Sequence, residues 1–115
     1  MHVGQFACTA ILLGGLIALF FALDVRDEAA RWAGRFGAAS LVVALALYGV
    51  LQAVDGVGDK MVADAWVAAR GADKAARFAS AEAMRWLEWG ARSYLDFALG
   101  LALVLFAAAV MRTPT

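Results

Sequence analysis

The sequence predicts an all-α integral membrane helical bundle with three transmembrane helices and a short amphipathic helix. The last helix is long and extends out of the membrane. Three observations predict this. Hydrophobic residues make up 64% of the 115, and mean hydropathy is +0.75, whereas soluble domains are roughly 45–50% apolar even with glycine counted. Apolar runs of membrane-crossing length alternate with charged stretches. The one proline, Pro114, lies beyond the last run, and no segment carries the alternation and turn residues of a strand. Residues 1–115 read as a single membrane domain, with spans at about 3–23, 36–54 and 93–111 and a helical excursion at about 55–92.

The first run, residues 6–23, is eighteen residues long. It exceeds the 7–15-residue apolar core of a signal peptide, no Lys or Arg precedes it, and no small-residue cleavage site follows, so it reads as a retained span. Ala10, Gly14, Ala18 and Ala22 recur on it every four residues. Such a stripe lets two backbones approach closely, which is what drives helix association in lipid. It reads as a helix-packing face, with the partner either in the same chain or in a second copy. The lone Cys8 lies in this run and has no partner for a disulfide or zinc site; it reads as a small apolar-behaving residue.

A polar link at 24–35 follows, holding Asp24, Asp27 and Glu28 against Arg26, Arg31 and Arg35. Asp27 is the expected N-cap of a helix starting at Glu28, with acids at the positive end of its dipole. Trp32 sits where headgroup-level aromatics occur. Gly34 and Ala38 make a second small-residue pair. Near the end of this helix Tyr48, Gln52 and Asp55 are spaced 4 and 3 and share a face. A phenol and an amide at a membrane boundary face protein or water, so these three read either as an ordinary polar helix end or as half of a polar pocket.

Gly56 and Gly58 predict a helix break. Asp59 would cap a short amphipathic helix at 60–69 whose Met61, Val62, Ala65, Trp66 and Ala69 form one apolar face. Gly71 would end it, and Asp73 would cap a long helix over 73–112. The first half of that helix carries Glu82, Arg85, Glu88, Arg92 and Asp96, all within about 120° of one another; residues 97–111 carry no charge. Trp86 and Trp89 flank this ladder, and with Trp32 and Trp66 they are the candidate interface aromatics.

The three crossings put the N-terminus and the excursion on one side of the membrane, and the link and C-terminus on the other. Asp55 then meets the start of the third span. The candidate polar cluster is therefore Tyr48, Gln52, Asp55, Glu88, Arg92 and Asp96, with Arg92 at its centre because a guanidinium holds two acceptors in a planar fork. The ordinary reading of the ladder is a self-compensating set of neighbours, Glu82–Arg85, Arg85–Glu88, Glu88–Arg92 and Arg92–Asp96, where a long helix leaves the membrane. Three other readings stand beside it: a hard cation on the carboxylates, a proton or ion path, and a lipid phosphate held by Arg85 and Arg92 between the tryptophans. Short-loop arginines at 26, 31 and 35, with Arg112, favour a cytoplasmic C-terminus.

Ten basic residues balance ten acidic ones, which leaves no electrostatic footprint for nucleic acid. His2 is the only histidine, so a bis-histidine haem within one chain is excluded. The cofactor is unknown from sequence; for an accessory chain in a pigment or redox complex, His2 and Gln52 are the only obvious unusual ligands. There is no nucleophile–base set, close-spaced metal motif or phosphate loop, so an enzyme is not expected.

The strings Ala53-Val54-Asp55-Gly56-Val57, Ala63-Asp64-Ala65-Trp66 and Ala81-Glu82-Ala83-Met84-Arg85-Trp86-Leu87-Glu88-Trp89-Gly90, with His2-Val3-Gly4-Gln5, resemble an uncharacterised family of small bacterial multi-span membrane proteins. Those proteins are longer, with an additional span before and often after this part. The resemblance implies the bacterial cytoplasmic membrane and assembly with other chains, and it implies no catalytic residues. The expected function is a non-enzymatic subunit or scaffold in a homo-oligomer or larger membrane complex, with lipid, further copies or other subunits as partners. The alternative is binding or transport of a small molecule, lipid or ion through the boundary cluster.

Overall fold

The computed structural model describes residues 2–113; Pro114 lies outside them. The described residues form helices joined by short links, with no strand. Helix α1 spans His2–Ala22, α2 Glu28–Ala53, α3 Asp59–Ala68 and α4 Asp73–Met111; a single π-helical turn, Val54–Gly58, joins α2 to α3 without a break. His2–Ala22, Glu28–Ala68 and Asp73–Met111 are each long and apolar enough to cross a membrane. The molecule is a rod of 68 × 22 × 15 Å. Its spine is an antiparallel pair, α2–α3 against α4, and α1 lies along α2.

The link into α2 folds as its sequence predicts. Asp27 has extended backbone and its Oδ2 accepts from the Ala30 N–H at 2.7 Å, satisfying one of the donors that a helix start leaves open. The core is built from small residues. Along α2 the buried positions are Ala30, Gly34, Gly37, Leu41, Ala44 and Leu51, close to the 3.5-residue period of a helix seam. Ala98, Ala102 and Ala109 of α4 meet them. A Cβ on Gly37 would stand 3.4 Å from the Ala102 carbonyl oxygen, so the two backbones are nearly in contact. Ser40 Oγ donates to the Ala98 carbonyl at 2.6 Å across this seam. Phe106 joins the cluster of Phe20, Val25, Ala30 and Ala109 to that of Leu13, Leu41 and Ala102.

Gly56 and Gly58 do not break the helix. Their neighbourhood widens by one residue into a π-turn, and the flanking residues Ala53, Val54 and Asp59 keep helical φ and ψ. The glycines are there for space. A Cβ on Gly56 would lie 2.9 Å from His2 Cδ2, and one on Gly58 would lie 3.0 Å from Met84 Sδ. Helix α3 therefore continues α2 and packs on α4 as the second arm of a helical hairpin, with Trp66 and Phe78 centroids 5.9 Å apart and Lys74 Nζ 5.2 Å from the Trp66 ring. Of the expected apolar face, Met61 is 67% exposed, and Val62, Ala65, Trp66 and Ala69 are partly buried.

Two expected caps are not formed. The residue before α3 is Gly58, with no side-chain cap, and Ala72 precedes α4 with none either. Asp73 instead sits within the first turn and accepts from Arg77 Nε at 3.4 Å, an i,i+4 pair. Gly71 makes the reversal with φ +58°, the left-handed conformation that glycine reaches without a Cβ clash. From there α4 runs unbroken through Gly90 for 39 residues, about 58 Å at 1.5 Å per residue.

Candidate functional site: the boundary between the first helix and the π-turn

The N-terminal end of α1 lies against the C-terminal end of α2. Helical spacing puts His2 and Phe6 on one face of α1 and Gly49, Gln52 and Gly56 on one face of α2 and the π-turn that continues it, and the glycines form two notches that receive the rings. A Cβ on Gly49 would lie 3.2 Å from Phe6 Cε2. Phe6 stacks on Tyr48, centroids 6.3 Å apart and planes 13° apart. His2 Nδ1 hydrogen-bonds Gln52 Oε1 at 2.9 Å and stands 3.7 Å from Asp55 Oδ2. Beside these contacts runs an open groove of about 490 Å³ lined by His2, Val3, Phe6, Gly49, Gln52, Ala53, Gly56 and Val57.

Behind the π-turn lies a patch of acids. The side chain of Glu88 on α4 faces Asp59, and Asp55 is near enough to act on its charge. Partial burial pushes the Glu88 carboxyl above its ordinary range; the Asp59 charge and a hydrogen bond to Asp59 push it further, Asp55 adds to this, and Arg85 opposes it. Asp59 Oδ1 is buried without a hydrogen-bond partner among the described residues.

The six residues expected to meet thus divide. Tyr48 and Gln52 turn to α1, Asp55 sits between His2 and Glu88, and Glu88 turns to Asp59. Arg92 and Asp96 are exposed. Among the described residues neither is in an ion pair, and no neighbouring pair of the ladder closes to 4.0 Å; the ion pairs between always-charged groups are Arg26–Asp24, Lys60–Asp64 and Arg77–Asp73. The reason is geometric: α4 turns Ala98 and Ala102 to α2, and the face bearing Arg92 and Asp96 points away from that contact.

Trp86 and Trp89 are 68% and 53% exposed and meet edge to face at 5.4 Å, forming a shallow recess with Glu82 and Arg85. Trp32 is also exposed, under the Arg35 guanidinium at 5.2 Å. Trp66 is inside the hairpin. On α1 Ala10 is partly buried, and Gly14, Ala18 and Ala22 are exposed; a Cβ on Gly14 would meet no atom within 4 Å. The face that α1 uses within the chain is instead Phe6, Leu13, Leu16, Ile17 and Phe20. No group of three metal-ligating side chains gathers among the described residues.

Sequence reasoning placed Gln52 and Asp55 at a polar site and missed their main partner, His2. A signal was present: Gly49, Gln52 and Gly56, spaced 3 and 4, make a notch–amide–notch face, and His2 and Phe6 share a face of α1. No family model, curated protein or solved structure matches the chain.

Proposed function

We propose that the chain is a multi-pass membrane protein that works as a subunit or scaffold, with α1 as the face it offers to a second copy. The observation that carries this is the stripe Ala10–Gly14–Ala18–Ala22, of which Gly14, Ala18 and Ala22 are exposed. The chain's other small-residue faces, on α2 and α4, are spent on internal packing, and this one is left with room for a backbone at Gly14.

Membrane embedding has its own support. From Trp32 to Asp55 along α2, and from Trp89 to Arg112 along α4, is about 35 Å of helix, matching a hydrocarbon core of about 30 Å bounded by aromatic and charged residues. The hairpin of α3 and the start of α4 then stands outside on the side of His2. The link arginines favour a cytoplasmic C-terminus, and the resemblance favours a bacterial cytoplasmic membrane.

Native mass measurement in lipid discs tests the assembly. An oligomer is expected, reduced to monomer by Gly14→Leu with Ala18→Leu; a strictly monomeric wild type overturns the reading.

A second reading, binding of a small apolar molecule, is favoured by the groove beside His2. Its volume of about 490 Å³ falls within the roughly 300–1,000 Å³ of ligand sites, and a few polar groups converge on an otherwise apolar wall. An environment-sensitive apolar dye that binds the wild type and is excluded by Gly49→Leu supports it; no uptake by the wild type refutes it.

A further inference from the structure

We propose that the recess formed by Glu82, Arg85, Trp86 and Trp89 binds the headgroup of a zwitterionic phospholipid, its ammonium against Glu82 and the indoles and its phosphate on Arg85. The proposal rests on the membrane reading above and is independent of the groove between α1 and α2.

Helical spacing gathers the four residues. At 100° per residue they fall within about 100° of one another, on the face of α4 opposite Ala98 and Ala102, which turn to α2. All four are exposed. The two indole planes stand 72° apart with centroids at 5.4 Å, so they make a corner. With Glu82 and Arg85 they line a recess of about 110 Å³.

The chemistry of the lining names the ligand. An ammonium is drawn to an aromatic face, and tryptophan holds it best. Glu82 adds a full negative charge beside that corner, and Arg85 presents the planar fork that suits a phosphate. Arg85 acts on the charge of Glu88, yet neither Glu82 nor Arg85 closes an ion pair among the described residues. Two opposite charges left open around one aromatic corner match a ligand that carries both.

Their order along α4 matches a lipid. With Trp89 at the boundary of the hydrocarbon, Arg85 and Glu82 stand about one and two turns further out, about 6 and 10 Å. The headgroup layer is about 5–8 Å deep on each side, so Arg85 lies within it and Glu82 at its outer edge. In a zwitterionic phospholipid the phosphate joins the glycerol and the ammonium lies beyond it, the same sequence of charges read outwards. A headgroup without the ammonium leaves Glu82 unanswered.

The test uses the full chain in lipid discs of equal parts phosphatidylcholine and phosphatidylglycerol, released into mild detergent for native mass measurement, with helix content monitored by circular dichroism. Wild type should retain phosphatidylcholine in preference to phosphatidylglycerol. Glu82→Gln should abolish that preference and leave phosphatidylglycerol retention unchanged. Arg85→Gln should lower retention of both lipids. Trp86→Leu should weaken phosphatidylcholine retention by about 2–5-fold, the loss expected for one exposed cation–aromatic contact. Equal retention of the two lipids by wild type, or an unchanged preference in Glu82→Gln, overturns the proposal and leaves the membrane reading standing. A chain that fails to float with vesicles of either lipid overturns the membrane reading itself.

Discussion

The ring of Phe20 occupies the place where residue 34 would carry a side chain: a Cβ on Gly34 would lie 1.7 Å from Phe20 Cζ. This contact locks the end of α1 against the start of α2, and Phe106 of α4 closes over the same ring at 5.3 Å. Gly34→Ala should destabilise the fold by about 1–3 kcal/mol, the range for overpacking a filled core. In the Phe20→Ala background the same change should cost much less, because the two residues share one contact. Additive losses in detergent unfolding of the double-mutant cycle would rule the lock out.

Ser40 binds the Ala98 carbonyl across the α2–α4 seam. Ser40→Ala should cost about 0.6 kcal/mol, the average for hydrogen bonds between helices in membranes, and at most about 1.7 kcal/mol. Thermal unfolding in micelles reads this directly, and an unchanged midpoint would mean that close backbone packing alone holds the seam.

Gly71 turns the hairpin with positive φ. Gly71→Ala should lose about 1–2 kcal/mol, the cost of putting a Cβ in the left-handed region. Gly71→Asn should lose less, since asparagine tolerates that conformation. Protease susceptibility at the hairpin tip gives the ordering; equal susceptibility of the two variants would contradict it.

Among the described residues Glu88 carries the one shifted carboxyl, raised by burial and by Asp59 and Asp55. For a raised carboxyl the folded state holds its proton more tightly than the unfolded state. Its contribution is therefore fully present below the ordinary value of 4.5 and is lost as pH rises through the folded value. Glu88→Gln should be more stable than wild type at neutral pH, and the advantage should vanish as pH falls below the ordinary carboxylate range. Melting curves across that range check the sign, and a gap that widens towards acid would refute the raised carboxyl.

Much of the fold was legible because it rests on local rules. Asp27 before an apolar periodic run caps as expected, Gly71 ends the hairpin arm, and the three apolar runs each become one helix. Gly56 and Gly58 misled because glycine carries two meanings, a break in the backbone or room for a neighbour, and only the neighbour distinguishes them. Here His2 and Met84 occupy that room. The polar site was half legible for the same reason: Gln52 and Asp55 announce a polar helix end, but which helix answers them depends on which face of α4 turns inward.

The sequence by itself determined the three apolar helical runs and the hairpin, since these follow from composition, hydrophobic period and the reversal at Gly71. Only the tertiary structure decided that Arg92 stands apart, that the α1 stripe stays open, and that His2 meets Gln52. Those outcomes depend on the rotation of each helix about its own axis, which is set by where glycine and alanine permit the closest approach across the whole bundle.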